Sequence, residues 1–100
     1  MELRRKQHAL PIDRRAVARD WQARGFSCGL FVDPPGRAWP DFMHEADELV
    51  TVMEGALELI VAGEAAALQP GDEAFIPRRQ RHSVRNIHHG TSRWLYGYGA

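Results

Sequence analysis

From residue 26 onward, apolar positions fall on alternate residues in short runs, and glycine or proline interrupts the runs at frequent intervals. Alternation of this kind places one side of a strand against a core and the other toward solvent. It predicts strands over 26–32, 42–44, 48–53, 57–62, 73–76, 82–87 and 93–98, with a weaker one over 65–68. In the first of these Phe26, Cys28, Leu30 and Val32 share a side. The breaks between runs carry turn chemistry: Pro34, Pro35 and Gly36, then Gly55, then Gly63, then Pro70 and Gly71. Short strands with turn signals roughly every 8–12 residues predict an antiparallel sandwich or barrel rather than a parallel sheet.

The first quarter of the chain reads differently. Residues 1–11 are polar and are expected to be frayed or loosely docked, His8 among them and uninvolved in any site. Residues 13–23 predict one short helix. Asp13 can cap it, Val17 and Trp21 lie four apart on one face, and Gly25 is a natural stop. The apolar stripe implies a helix lying on the barrel, with a basic helix that docks a partner as the alternative. The expected organisation is an N-terminal extension and helix over 1–25 and a β-barrel over 26–100, within one structural domain.

Composition narrows the function classes. One hundred residues provide one core, and 13 basic against 13 acidic residues leave no net field to attract nucleic acid or an anionic membrane. No apolar run approaches the roughly 18 residues needed to span a bilayer, and the charged start lacks the apolar block of a signal peptide. A single cysteine, Cys28, cannot form an internal disulfide; its parity suggests a small buried hydrophobe. A cytoplasmic protein is the expectation.

Candidate chemistry follows from the directions of side chains. Phe42 and His44 share a face; Glu48, Val50 and Val52 share another if 45–47 form a tight link; His82, Val84 and Asn86 share a third. Turned inward, these faces bring His44, Glu48 and His82 together among apolar neighbours, where an unpaired carboxylate is costly. A divalent ion removes that cost, and two histidines with one carboxylate suit Fe, Mn, Ni, Co or Zn. Phe42, Val50, Val84 and Asn86 are expected around the same pocket. Glu48 can instead pair with an arginine such as Arg85 or Arg93. Of the late arginines Arg78, Arg79, Arg81, Arg85 and Arg93, one turned inward would grip a carboxylate or phosphate, although parity sends most of them outward. Trp94, Tyr96 and Tyr98 alternate on the last strand as core or dimer-interface aromatics, one of them a possible pocket wall.

Two segments resemble the paired motifs of the cupin superfamily. The first motif runs Gly-x5-His-x-His-x(3–4)-Glu-x6-Gly, and Gly36, His44, Glu48 and Gly55 stand in register with it. The second runs Gly-x5-Pro-x-Gly-x2-His-x3-Asn, matched by Gly71, Pro77, His82 and Asn86. Phe42 occupies the first histidine position and Arg79 a usual glycine, so the family's three-histidine, one-glutamate set is reduced here to His44, Glu48 and His82. Trp39 and Pro40 are unusual within a strand. Asp41 would enter the site only through a bulge. The resemblance implies an all-β antiparallel cupin barrel, or jelly roll, with one short N-terminal helix. It also implies one divalent transition metal, a small-molecule substrate or ligand, and a homodimer. Two functional classes stay open: a small metalloenzyme of the dioxygenase or isomerase kind acting on an oxygenated molecule, and a metal-free binding or sensory module with a vestigial site.

Overall fold

The computed structural model describes residues 1–99. Two antiparallel sheets face each other. One has the order β1-β7-β4-β9-β2 and the other β3-β8-β5-β6. The strands are β1 (Glu2–Arg4), β2 (Gly29–Asp33), β3 (Ala38–Phe42), β4 (Glu48–Glu54), β5 (Leu57–Val61), β6 (Glu64–Leu68), β7 (Glu73–Ile76), β8 (His82–Asn86) and β9 (Ser92–Tyr98). This is the all-β jelly-roll arrangement with one short helix, α1 (Arg14–Ala23).

Two apolar layers lie on either side of the five-stranded sheet. Between the sheets pack Val50, Val52, Leu57, Leu59, Val61, Leu68, Ile76, Val84 and Trp94. On the outer face, Leu49 and Leu95 meet Val17 and Trp21 of α1, with Phe26, Cys28 and Leu30 alongside. Strand β4 lies between β7 and β9 and is covered on both faces, which explains why its sequence is apolar almost throughout rather than alternating. Leu30 of β2, with Phe26 and Cys28 just before the strand, therefore faces the helix, Val32 is exposed, and Phe31 packs against the inter-sheet core. Cys28 is half-buried, and loss of solvent pushes its thiol pKa upward.

Helix α1 begins as its sequence predicts. The Asp13 carboxylate accepts from the amides of Arg15 at 2.9 Å and Ala16 at 3.4 Å, and Gly25 leaves the helix at φ +87°. Gly97 of β9 lets the helix approach. A methyl group there would collide with the Ser27 carbonyl oxygen and reach 2.9 Å from the Trp21 ring. Among the described residues no helix is long and apolar enough to cross a membrane.

Residues 1–11 depart from the expectation of a loose start. β1 adds an edge strand to β7, with Glu2, Leu3 and Arg4 opposite Phe75, Ala74 and Glu73. A three-residue edge strand with one wet face carries too little alternation to be read from sequence. Behind it, Arg5 donates to Asp72 at 2.9 Å, and His8, Trp21 and Arg24 converge on buried Glu73 at 2.9, 2.8 and 2.9 Å. Burial alone would raise the Glu73 carboxyl pKa, but these donors hold it down to about 2. His8 is thus a structural partner of Glu73 rather than a bystander.

Candidate metal centre

Antiparallel pairing brings four strand ends to one end of the barrel. Glu48, first in β4, lies opposite Tyr98, last in β9; Phe42, last in β3, lies opposite His82, first in β8. β3 runs over Ala38–Phe42 instead of 42–44, because Pro40 is tolerated in this edge strand. The register shifts between Trp39 and Phe42, and Asp41 sits at φ +52°. That irregularity turns Asp41 outward to Arg81, 3.2 Å away, so it stays out of the site. His44 follows in the link to β4, where its carbonyl accepts from the Arg79 amide at 2.7 Å. Arg79 adopts φ +63°, the left-handed conformation expected at the family's glycine position.

His44, Glu48 and His82 come together. Glu48 Oε1 lies 3.3 Å from His82 Nε2 and 3.9 Å from His44 Nε2. Two ligands each about 2.1 Å from an ion sit at most about 4.2 Å apart, so both separations suit a shared ion. The Gln80 carbonyl accepts from His82 Nδ1 at 3.1 Å, leaving Nε2 of the neutral ring with its lone pair toward Glu48. Backbone support of this kind is common for metal-binding histidines. Among the described residues Glu48 Oε1 is buried without a hydrogen-bond partner. Acceptors facing one another so closely call for a proton or a metal cation between them. Burial pulls the His82 imidazole pKa down, yet the adjoining Glu48 carboxylate and Gln80 carbonyl outweigh it and the net shift is upward. The donor set therefore fits a divalent transition metal. The second acid–histidine group, His8, Asp20 and Glu73, suits one poorly, because Arg24 already supplies the cation.

A cavity of about 230 Å³ opens beside the triad, walled by Phe31, Trp39, Phe42, Val84, Trp94 and Tyr98. Parity identifies Phe42 and Val84 in this wall but not depth. Val50 shares the Glu48 face yet is fully buried in the inter-sheet core. Asn86 shares the His82 face but lies roughly 13 Å farther along β8, given about 3.3 Å per residue. There it donates to the Asp33, Pro34 and Gly90 carbonyls. None of the arginines lines the cavity among the described residues: Arg78, Arg79, Arg81 and Arg85 pair with Asp47, Glu45, Asp41 and Glu58. Glu48 thus has no arginine partner. Strand β9 is internal, so Trp94 and Tyr98 face this cavity instead of a free interface. Tyr98 Oη is 3.4 Å from His44 Nε2, and burial, with the Glu48 charge next, pushes its pKa up to about 12. Of the three alternating aromatics of β9, one of them expected as a possible pocket wall, Trp94 and Tyr98 both line the cavity; Phe31 and Trp39 do so without any motif signal.

Comparison with known proteins agrees with this fold. Curated proteins give no match. Among solved structures, the cupin domain of Schizosaccharomyces pombe Cnp3 is 19% identical over 76% of this chain and 56% of its own, with TM-score 0.71. An oxalate oxidase in complex with the substrate analogue glycolate is 22% identical over 77% of this chain and 43% of its own, with TM-score 0.69. The DMSP lyase DddQ from Ruegeria pomeroyi DSS-3 is 23% identical over 76% of this chain and 39% of its own, with TM-score 0.68. Identities this low establish shared fold alone, and the chain spans about half the length of these proteins or less. A cupin-domain family profile matches residues 29–98, the whole run from β2 to the end of β9. With that match added to the paired motifs and the two facing sheets, the chain belongs to the cupin family.

Proposed function

We propose that this cupin is a small metalloenzyme whose His44, Glu48 and His82 hold one divalent ion of the Fe, Mn, Ni, Co or Zn class, acting on a small oxygenated molecule. The observation that carries it is the unpartnered, buried Glu48 Oε1 facing two imidazole nitrogens. When bound, such an ion supplies Lewis acidity toward an oxygen of the substrate. The chain's own residues do the rest. Gln80 holds the His82 ring in the tautomer that exposes Nε2. Tyr98, kept protonated, offers a hydroxyl donor beside His44. Phe42 and the indoles of Trp39 and Trp94 limit water around the site. That two of the similar structures are an oxalate oxidase and a DMSP lyase is consistent with an enzyme but selects no reaction.

Elemental analysis of untagged protein tests the proposal. About one ion per chain, lost in His82→Ala with the circular dichroism spectrum retained, is the expected result. One observation favours a second reading, a metal-free binding cupin: Phe42 takes the position of a histidine that the family's motif supplies, directly opposite His82. Substoichiometric metal, together with thermal stability indifferent to chelator, would establish that reading instead. The homodimer implied by kinship belongs with the same proposal, with edge strand β2 and its exposed Val32 as the place to look. Light scattering giving a monomer would remove it.

A further inference from the structure

The cavity is polar at one end only. Glu48, His82 and Phe42 stand at strand ends together with Tyr98, whereas Trp39 pairs with Val84 and Phe31 with Trp94 deeper in the barrel. The deep wall is aromatic. Phe31 lies 5.4 Å from Trp39 and 5.0 Å from Trp94 between ring centroids. Indoles normally bring a hydrogen-bond donor to a pocket, but here both donors are spent elsewhere. Trp39 Nε1 and Trp94 Nε1 donate to the same oxygen of Asp33, Oδ2, at 3.1 and 2.9 Å. Asp33 is 1% exposed and is not part of the cavity wall. No lysine or arginine lines the cavity among the described residues; Arg37 is exposed and lies over the Trp39 ring at 4.5 Å without entering it.

We propose that the cavity takes a small monocyclic, largely apolar molecule with a single oxygen group, and that Asp33 is the positioning residue that enforces this by holding both indole N–H groups out of the pocket. The size agrees: an apolar cavity of ~150 Å³ admits benzene, and 230 Å³ leaves room for a ring with a few further atoms. The oxygen belongs at the His44, Glu48 and His82 end, and this half of the assignment rests on the metal-site proposal. A second polar group at the deep end finds no donor or acceptor and is left unpaired on burial. Dicarboxylates, polyols and phosphate esters are thereby excluded.

A matched pair of probes tests this. 4-Methylphenol and hydroquinone are nearly isosteric, and hydroquinone puts a hydroxyl where the other has a methyl. Each is titrated into the full chain, zinc-loaded and metal-free, while the indole N–H signals of the three tryptophans are followed by NMR. 4-Methylphenol should shift the Trp39 and Trp94 signals and leave Trp21, which is tied to Glu73 on the other side of the sheet, unmoved. Hydroquinone should bind more weakly by on the order of tenfold or more, the scale of one unpaired polar group. Asp33→Ala, which removes the shared acceptor, should shrink that ratio. Should that variant fail to fold, solvent exchange of the Trp39 and Trp94 indole N–H groups in the parent protein replaces it: slow exchange is expected of groups held by buried Asp33, and exchange at the rate of a free indole would overturn its role. Equal or tighter binding of hydroquinone, or no shift of Trp39 and Trp94 at millimolar 4-methylphenol, would overturn the proposal. Zinc content, measured separately, identifies failure of the metal site, and the metal-free titration still decides the ligand class.

Discussion

Phe42 stands where a third imidazole would complete the familiar ligand set, with its ring 5.9 Å from that of His44 and its backbone paired to His82. Phe42→His places a donor beside both existing histidines. Metal affinity should rise by on the order of tenfold, the scale on which even outer-shell partners act; competition against a chromogenic chelator measures it. Arg79 offers a different test. A non-glycine residue in the left-handed region costs roughly 1–2 kcal/mol, and its exposed pair with Glu45 returns little. After the extra chain entropy of glycine, Arg79→Gly should stabilise the protein by up to about 1 kcal/mol in urea denaturation. Both positions were visible in the motifs, because a motif fixes residue type against spacing. What spacing does not convey is depth: Val50 and Asn86 have the right parity, one fully buried in the core and the other at the far end of its strand.

At the scale of elements, Glu73 of β7 joins three pieces of chain through His8, Trp21 and Arg24. Its folded-state pKa of about 2 lies below the ordinary 4.5, so the stabilisation is fully present above about pH 4.5 and fades as pH falls toward 2. The shift corresponds to on the order of 3 kcal/mol. Glu73→Gln should lower stability at neutral pH by an amount of that order and flatten the acid limb between pH 4.5 and 2, read from urea midpoints across that range. Helix α1 and most strands were legible from alternation, capping and turn residues. β1 was not, because its pairing depends on Asp72 and Glu73 some seventy positions away, a contact that no local pattern encodes.

For the molecule as a whole, an ion that binds only the folded chain adds stability by mass action, about 2.7 kcal/mol at a hundred times its dissociation constant. For a domain of this size that is roughly 10–20 °C in melting temperature. Zinc or cobalt should produce such an increase in the parent protein and none in His82→Ala, as followed by calorimetry. The all-β class with its facing sheets could be read from the sequence, since turn signals recur at short intervals. The second apolar layer was legible only from the helix, whose Val17 and Trp21 stripe implies packing on the barrel; Leu49 and Leu95 beneath it were not, because strands covered on both faces lose the alternation that reveals which side is inward.

Gly97 lies between two tyrosines on a strand whose outer face carries the helix and whose inner face carries the cavity. Gly97, under the Trp21 ring, is the immediate neighbour of Tyr98, whose hydroxyl lies beside His44. Steric pressure applied from the helix side therefore has nowhere to dissipate before it reaches the chemistry. Gly97→Ala, on the opposite face of the sheet from every proposed ligand, should displace Tyr98 and weaken zinc uptake along with stability, whereas alanine at Gly63, where a side chain meets open space, should leave zinc uptake intact.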